Sequence, residues 1–309
     1  MSARAWTSFA VVSFLWGIPY LFISIAVDDG VSPGFLAWSR VLLGALVLIP
    51  LAAHAGLLGS LRGRLRWIAL YALVEIAIPF PLIAFGEKHV SSSVAAILIA
   101  ATPLIVAVLA IGFDQTERVR GRRLAGLWIG FAGVVALVGV DIAGNGDELA
   151  GTIAILIAAV GYAAGPMMLK RKLGDLDPRA IMAGTLTIAA LILTPLAAIG
   201  LPTDGLTGDA VASIAVLGLF CTAAAFVFFG ALILEVGAGR ALVITYIAPV
   251  VALLAGIVVL GESVGLGTVL GLPLILGGSW LATAPSREPR PSASTTSSGP
   301  PATANPPPR

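Results

Sequence analysis

Residues 241–260 read ALVITYIAPVVALLAGIVVL, twenty residues with no charge and one proline, Pro249, near the middle, closed by Gly261-Glu262. A helix of ~20 apolar residues covers the ~30 Å hydrocarbon core of a bilayer. The stretch therefore reads as a membrane span with a built-in interruption. Residues 91–112 repeat the design around Pro103. A chain that uses this plan twice is a bundle of spanning helices.

The remaining sequence agrees. Of 309 residues, 58% are hydrophobic and 11% charged, with a mean hydropathy of +1.02. Soluble domains carry ~25% charged residues, so this chain has too few polar side chains to cover a globule in water. A cytosolic enzyme is excluded. The net charge of +2 comes from scattered residues, so there is no nucleic-acid footprint. Cys221 stands alone and forms no internal disulfide. His54 and His89 have no ligand partners at metal spacing, and no cofactor motif is present.

Ten apolar runs are long enough to span: 7–27, 34–54, 67–86, 91–112, 124–142, 151–169, 180–200, 211–234, 241–260 and 265–283. Short polar punctuation separates them, such as Asp28-Asp29-Gly30 and Asp175-Leu176-Asp177-Pro178. In lipid each segment must satisfy its own backbone, so helix is the expected state. A signal peptide is the rival reading of the first run, but that run is long for one and contains Trp16, Pro19 and Tyr20. From residue 284 the composition turns to Pro, Ser, Thr and Ala, which predicts a disordered tail over 284–309.

Basic residues gather in cytoplasmic loops. With the N-terminus inside, 16 of the 18 Lys and Arg fall on inner segments and nine acids fall on outer ones. Both termini are expected in the cytoplasm, in a multi-pass protein of the plasma membrane. A repeat search gives an offset of 145: Pro33 to Pro178, Pro50 to Pro195, Glu117 to Glu262, Gly126 to Gly271 and Gly133 to Gly278, with Pro103 to Pro249 at 146. The expected domains are 1–143 and 144–283, five helices each, followed by the tail. Five is odd, so the second copy enters the bilayer from the opposite face. The fold class is an all-α integral membrane protein of ten transmembrane helices in two inverted repeats, the geometry that underlies alternating access.

These residues resemble the EamA-type family of the drug/metabolite transporter superfamily. The matching pieces are Trp16-Gly17, Ser32-Pro33 followed by Arg40, and Ala248-Pro249 running to Leu260-Gly261-Glu262, then Gly271 and Gly277-Gly278. The first copy departs from the pattern, with Gly112-Phe113-Asp114-Gln115-Thr116-Glu117 in place of Leu-Gly-Glu, and Gly161-Tyr162 replaces Trp16-Gly17. The resemblance covers residues 6 to 283. It implies a bacterial secondary carrier without a cofactor, most often an exporter of small metabolites, amino-acid-like or drug-like. A channel or non-transporting receptor on the same bundle remains the alternative. A membrane enzyme finds no motif here.

Candidate site residues follow from what is costly in a membrane. A proline frees the carbonyl four residues earlier: Pro19 that of Leu15, Pro79 that of Glu75, Pro81 that of Ala77, Pro103 that of Ile99, Pro166 that of Tyr162 and Pro249 that of Thr245. Several of them, at Leu15, Glu75, Ile99 and Tyr162, lie about 12 to 17 Å from a helix end, and the set converges on a central cavity lined by Pro79, Thr102, Pro103, Thr245 and Pro249. Each proline taken singly also fits an ordinary kink. Two ionisable side chains lie inside spans, Arg40 about 10 Å deep from the outer end and Glu75 about 12 Å from the inner end. Each costs ~2.5 to 3.5 kcal/mol on insertion scales and must face the interior. One or both are expected to contact substrate, with Glu75 the candidate for proton coupling; a fixed ion pair, or an outward-snorkelling Arg40, is the alternative. Trp16, Tyr20, Phe80, Tyr162, Phe226 and Tyr246 complete the candidate pocket, with a lipid-facing or packing aromatic as the alternative for each. Trp6, Trp67 and Trp280 read as interfacial anchors. Gly126 with Gly130 and Gly267 with Gly271 form small-residue faces on helices five and ten, for packing within the protomer or for a homodimer.

Overall fold

The computed structural model describes residues 2–113, 121–141, 146–203, 205–236, 241 and 243–283. Every long element is helical, and no strand occurs among the described residues. Glu117 and the tail from 284 lie outside them.

Nine helices in this set are long and apolar enough to cross a membrane, and one shorter apolar helix joins them. Numbered in chain order, α1 comprises Ala3–Gly17 and Pro19–Asp28; α2 is Pro33–His54; α3 comprises Leu65–Ala72, a π-helical turn Leu73–Ala77 and Pro79–Gly86; and α4 comprises Ser92–Ile99 and Thr102–Phe113. Next come α5 Arg122–Asp141, α6 Gly146–Lys172 and α7 Pro178–Ile199. Then α8 comprises Gly208–Ala215, a π-helical stretch Val216–Ala224 and Ala225–Val236; α9 is Ile244–Leu260 and α10 Leu266–Thr283. At 17 residues, α9 is about 26 Å long, the lower end of what spans. The apolar runs predict the positions of the nine long helices and of the shorter α9. The largest boundary difference is at α6, which extends through Asp147 and Glu148 at one end and Lys170 to Lys172 at the other. Acids in the first turn and bases in the last suit the helix dipole.

Local sequence explains the starts and breaks. Ser32 caps α2, its Oγ accepting from Phe35 N–H at 3.2 Å, and Asp177 caps α7, its Oδ1 accepting from Arg179 N–H at 2.8 Å. Each is followed by proline at the first helical position, where a missing N–H costs nothing. Cap and proline thus recur 145 residues apart. Arg179 also pairs with the Asp177 carboxylate at 2.9 Å, and this hydrogen bonding holds that carboxyl below its usual range.

The helices meet in antiparallel pairs. α2 runs against α7, with Ser32 Oγ donating to the Gly200 carbonyl at 2.7 Å and Trp38 Nε1 to Thr194 Oγ1 at 3.2 Å. α5 runs against α10 at closer range. A Cβ on Gly126 would lie 2.7 Å from the Gly278 carbonyl oxygen, and one on Gly133 would lie 3.0 Å from that of Gly271. A Cβ on Gly278 would lie 2.5 Å from Gly130 Cα and 2.6 Å from the Gly126 oxygen. The small-residue faces are therefore used inside the protomer. A homodimer through these helices would have to use their outer sides, where Trp128, Phe131, Leu266 and Val269 are exposed.

α1 is part of the bundle: Trp16 stacks at 4.7 Å on Phe229, and the Gly17 backbone lies against the Ala248 carbonyl and Val251 of α9. Of the expected anchors, Trp6 and Trp280 are exposed as interfacial residues should be. Trp67 instead packs under two cations, Lys172 at 4.7 Å and Arg66 at 5.2 Å.

Gly278→Ala forces two backbones apart and is expected to lower stability by about 1 to 3 kcal/mol. Gly277→Ala adds a carbon with no neighbour within 4 Å and should be neutral or stabilising by up to ~1 kcal/mol. Thermal unfolding of the two variants in detergent checks this; equal losses would contradict the close approach.

Candidate functional site

Two of the expected residues carry ionisable side chains inside spans, Arg40 buried and Glu75 half-buried, and their surroundings differ. Arg40 on α2 is 9% exposed. Its Nε donates to Thr222 Oγ1 at 2.9 Å, and its guanidinium carbon lies 4.1 Å from the centre of the Phe80 ring. The aromatic face holds a cation without neutralising it. The two Nη groups have no hydrogen-bond acceptor among the described residues. The snorkelling alternative fails, since the side chain turns inward.

Thr222 is available to Arg40 because of the backbone. It lies in the π-helical stretch of α8, where its hydroxyl donates to the Leu217 carbonyl, five residues earlier, at 2.8 Å. With its proton used there, the oxygen is left as an acceptor facing Arg40. Each π-turn widens a helix and re-aims the side chains after it. The second one, Leu73–Ala77 in α3, stands ahead of Pro79, and Ile78 N–H reaches back five residues to the Leu73 carbonyl at 3.0 Å. Sequence reasoning finds Pro79 but not this turn.

Glu75 sits inside that α3 turn. Its Oε2 is buried without a hydrogen-bond partner and rests on Gly165 of α6, where any Cβ would clash. No ion pair with Arg40 forms. Tyr162 of α6 lies within electrostatic reach of both charges, and Tyr20 of α1 within reach of Arg40. Phe226 meets Trp16 edge-on at 5.8 Å. Arg40, Glu75, Phe80, Tyr162, Tyr20, Trp16, Phe226 and Pro79 therefore form one connected interior region, packed by α1, α2, α3, α6 and α8.

The remaining candidates lie apart or do structural work. Thr102 Oγ1 donates at 2.6 Å to the Ile99 carbonyl, the group that Pro103 frees. The α4 break is thus repaired locally. Pro249 is buried where α9 meets α1. Thr245 has contacts of its own. Tyr246 hydroxyl pairs with Thr283 Oγ1 at 3.0 Å, between α9 and α10. Pro166 is exposed, an ordinary kink on the outside. Two openings lie away from the charged region: about 290 Å³ lined by Arg4, Thr7, Ser8, Val227, Phe228 and Ala231, and about 480 Å³ lined by Ser2, Arg4, Ala231 and Glu235. Among the described residues, no cluster of His, Cys, Asp and Glu could hold a metal.

One end of the bundle carries a link that the sequence did not disclose. Glu262, just after α9, accepts from Ser92 N–H at 2.8 Å, from Ser93 N–H at 3.1 Å and from the Ser93 hydroxyl. These donors open α4, so the carboxylate caps that helix and meets the positive end of its dipole. Gly261, left-handed at φ +67°, turns the chain to allow it.

Thr222→Val keeps the shape and removes the acceptor for Arg40. The expected cost is about 1.5 to 3 kcal/mol, the range for hydrogen bonds to charged groups, read as a lower thermal midpoint. A variant as stable as the wild type would mean that Arg40 finds its partner elsewhere.

Comparison with known proteins fits this geometry. The model of the EamA-like transporter family matches twice in tandem, at residues 5–139 and 149–284. An uncharacterized transporter of Archaeoglobus fulgidus is 24% identical over 283 residues, covering 90% of this chain and 98% of the relative. A probable terminal-alkyne amino-acid exporter of Streptantibioticus cattleyicolor is 29% identical over 257 residues, covering 80% and 82%. The uncharacterized inner membrane transporter YedA of Escherichia coli is 29% identical over 259 residues, covering 81% and 80%. A solved structure titled only as a protein crystal structure shares the fold, with a TM-score of 0.65 at 22% identity, covering 91% of this chain and 98% of that one. The chain is a multi-pass membrane protein that belongs to the EamA-like transporter family.

Proposed function

We propose that the chain is a secondary carrier that moves a small carboxylate-bearing metabolite, amino-acid-like in character, by alternating access between two oppositely inserted halves. The observation that carries this reading is the α5–α10 contact. Gly126 faces Gly278 while Gly133 faces Gly271, and these are two pairs of positions each 145 apart. Such reciprocal contact is what a two-fold axis produces. Because the helices are antiparallel, the axis lies across them, in the membrane plane, as inverted repeats require. Further support comes from the recurrence of the Ser32-Pro33 cap at Asp177-Pro178 and of a π-turn in the third helix of each half, Leu73–Ala77 and Val216–Ala224.

Arg40 supports the substrate class. A guanidinium held through Nε alone keeps both Nη groups for a ligand, and a carboxylate matches that fork in two parallel hydrogen bonds. Phe80, Tyr162 and Tyr20 supply apolar surface beside it. Glu75, whose Oε2 has no partner, is the candidate for the ligand's ammonium or a coupling proton. One relative's name includes an amino-acid exporter, which favours outward movement. The charge sorting of the loops supports cytoplasmic termini and a place in the plasma membrane.

The test uses the full chain in liposomes. A panel of amino acids and their analogues should contain a compound that raises the thermal midpoint, since a ligand of the folded state stabilises it. The same compound should show saturable counterflow, and Arg40→Gln should weaken its binding about tenfold or more. Flux that never saturates would make the protein a pore, and binding without flux would make it a receptor. Glu75→Gln that still concentrates substrate under a pH difference would remove Glu75 from proton coupling.

A further inference from the structure

Glu87 is the most unusual charged group in the bundle. In sequence it is one of the acids of a loop, one residue past α3, where a solvated carboxylate is expected. In the structure it is only 4% exposed. Both carboxylate oxygens are buried and neither has a hydrogen-bond partner. An ionised carboxylate in that situation has lost its water and gained nothing, a state that proteins avoid by neutralising the group.

The groups around it do not compensate. From α1, Asp28 and Tyr20 act on it, and the Ser24 backbone comes near without making a hydrogen bond. Ser24 Oγ is directed to Asp28 at 3.4 Å instead. Glu262 approaches from the turn after α9, already committed to the start of α4. From α6, the residues against this end of α3 are Gly151 and Ile155, which carry no charge. Lys88 and His89 follow in the chain, and the His89 ring is turned to Phe85 at 4.9 Å. Among the described residues, Arg40 of α2 is the one cation acting on Glu87 from another helix, and its near contacts are Thr222 and Phe80. Two acids and one engaged cation make a site that disfavours a third negative charge.

We propose that Glu87 is a buried proton-binding site, neutral in this conformation and ionised only when the Asp28–Glu262 end of the bundle opens to water. Burial, reinforced by Glu262 and Asp28 and opposed by Arg40, holds the carboxyl well above the ordinary carboxylate range. The site is separate from Glu75, which lies twelve residues earlier in the chain, within the π-turn of α3. It deepens the carrier reading by naming where a proton is held while that end is closed. Closing this end takes the proton up, and opening it releases the proton.

Between the unfolded carboxyl's value near 4.3 and the raised folded value, the folded chain holds a proton that the unfolded chain has lost. Stability attributable to Glu87 is therefore complete at acid pH and falls as pH rises through that window. The thermal midpoint of the purified wild type, measured from about pH 5 to pH 9, should drop by a few degrees more than that of Glu87→Gln, whose amide imitates the neutral acid. Infrared spectra should contain a protonated-carboxyl stretch that disappears in Glu87→Gln and shifts in Glu87→Asp. Parallel midpoint profiles with an unchanged infrared band would overturn the proposal. So would a Glu87→Gln chain that does not fold, because the neutral isostere should be accepted. Neither measurement uses substrate, so failure here leaves the carrier reading standing, and loss of the carrier reading leaves the protonation result intact.

Discussion

Hydrocarbon offers no hydrogen bonds, so every backbone N–H and C=O within the bilayer must find its partner inside the protein. Regular helix satisfies this without help, and most of the chain is regular helix. The informative places are those where the chain departs from α geometry. At each of them a side chain or a shifted backbone bond takes over. Thr102 covers the Ile99 carbonyl ahead of Pro103, Thr222 covers the Leu217 carbonyl, and Ile78 reaches back five residues ahead of Pro79. Glu262 covers the opening N–H groups of α4. The Thr222 repair also supplies the acceptor that holds Arg40 inside an apolar bundle.

The same constraint ties the two halves of the chain together. Helices in lipid have no hydrophobic drive toward one another and associate through close packing and polar contacts. Glycine brings the α5 and α10 backbones into direct contact, and α2 and α7 are linked by Ser32–Gly200 and Trp38–Thr194. At the opposite end from Ser32, Arg64 joins Asp175 at 2.8 Å and donates to the Lys172 carbonyl at 2.8 Å. Polar links thus cross between the halves at both ends. A rearrangement that opened one end would break one set and leave the other, provided the glycine seam holds.

Much of the fold was legible because its signal is coarse. Twenty apolar residues between charged turns mark a span whatever the fine geometry, and Pro33 and Pro178 mark helix starts by the absence of an N–H. Arg40 and Glu75 stood out because charge inside a span is costly. The π-turns were not legible, since LVEIA at 73–77 and VLGLFCTAA at 216–224 are as compatible with α-helix as their neighbours. The wider turn is decided by packing between helices. Thr222 was missed for the same reason: a lone threonine in an apolar run gains meaning only when Arg40, 182 residues away, points at it. Glu87 was misjudged because sequence position beyond α3 suggested solvent, whereas α1 and the turn after α9 close over it. Pro166 was overread, as it is exposed on the outside of the bundle.

The central claim is that the halves enter the membrane from opposite faces, so equivalent loops must lie on opposite sides. Gly59 follows α2 and Thr203 follows α7, and both are exposed. With Cys221 replaced by alanine, Gly59→Cys and Thr203→Cys can each be treated in intact cells with a thiol reagent that does not cross membranes. The account predicts labelling at position 203 and none at 59 until the cells are opened. Labelling of both, or of neither, in intact cells would contradict it.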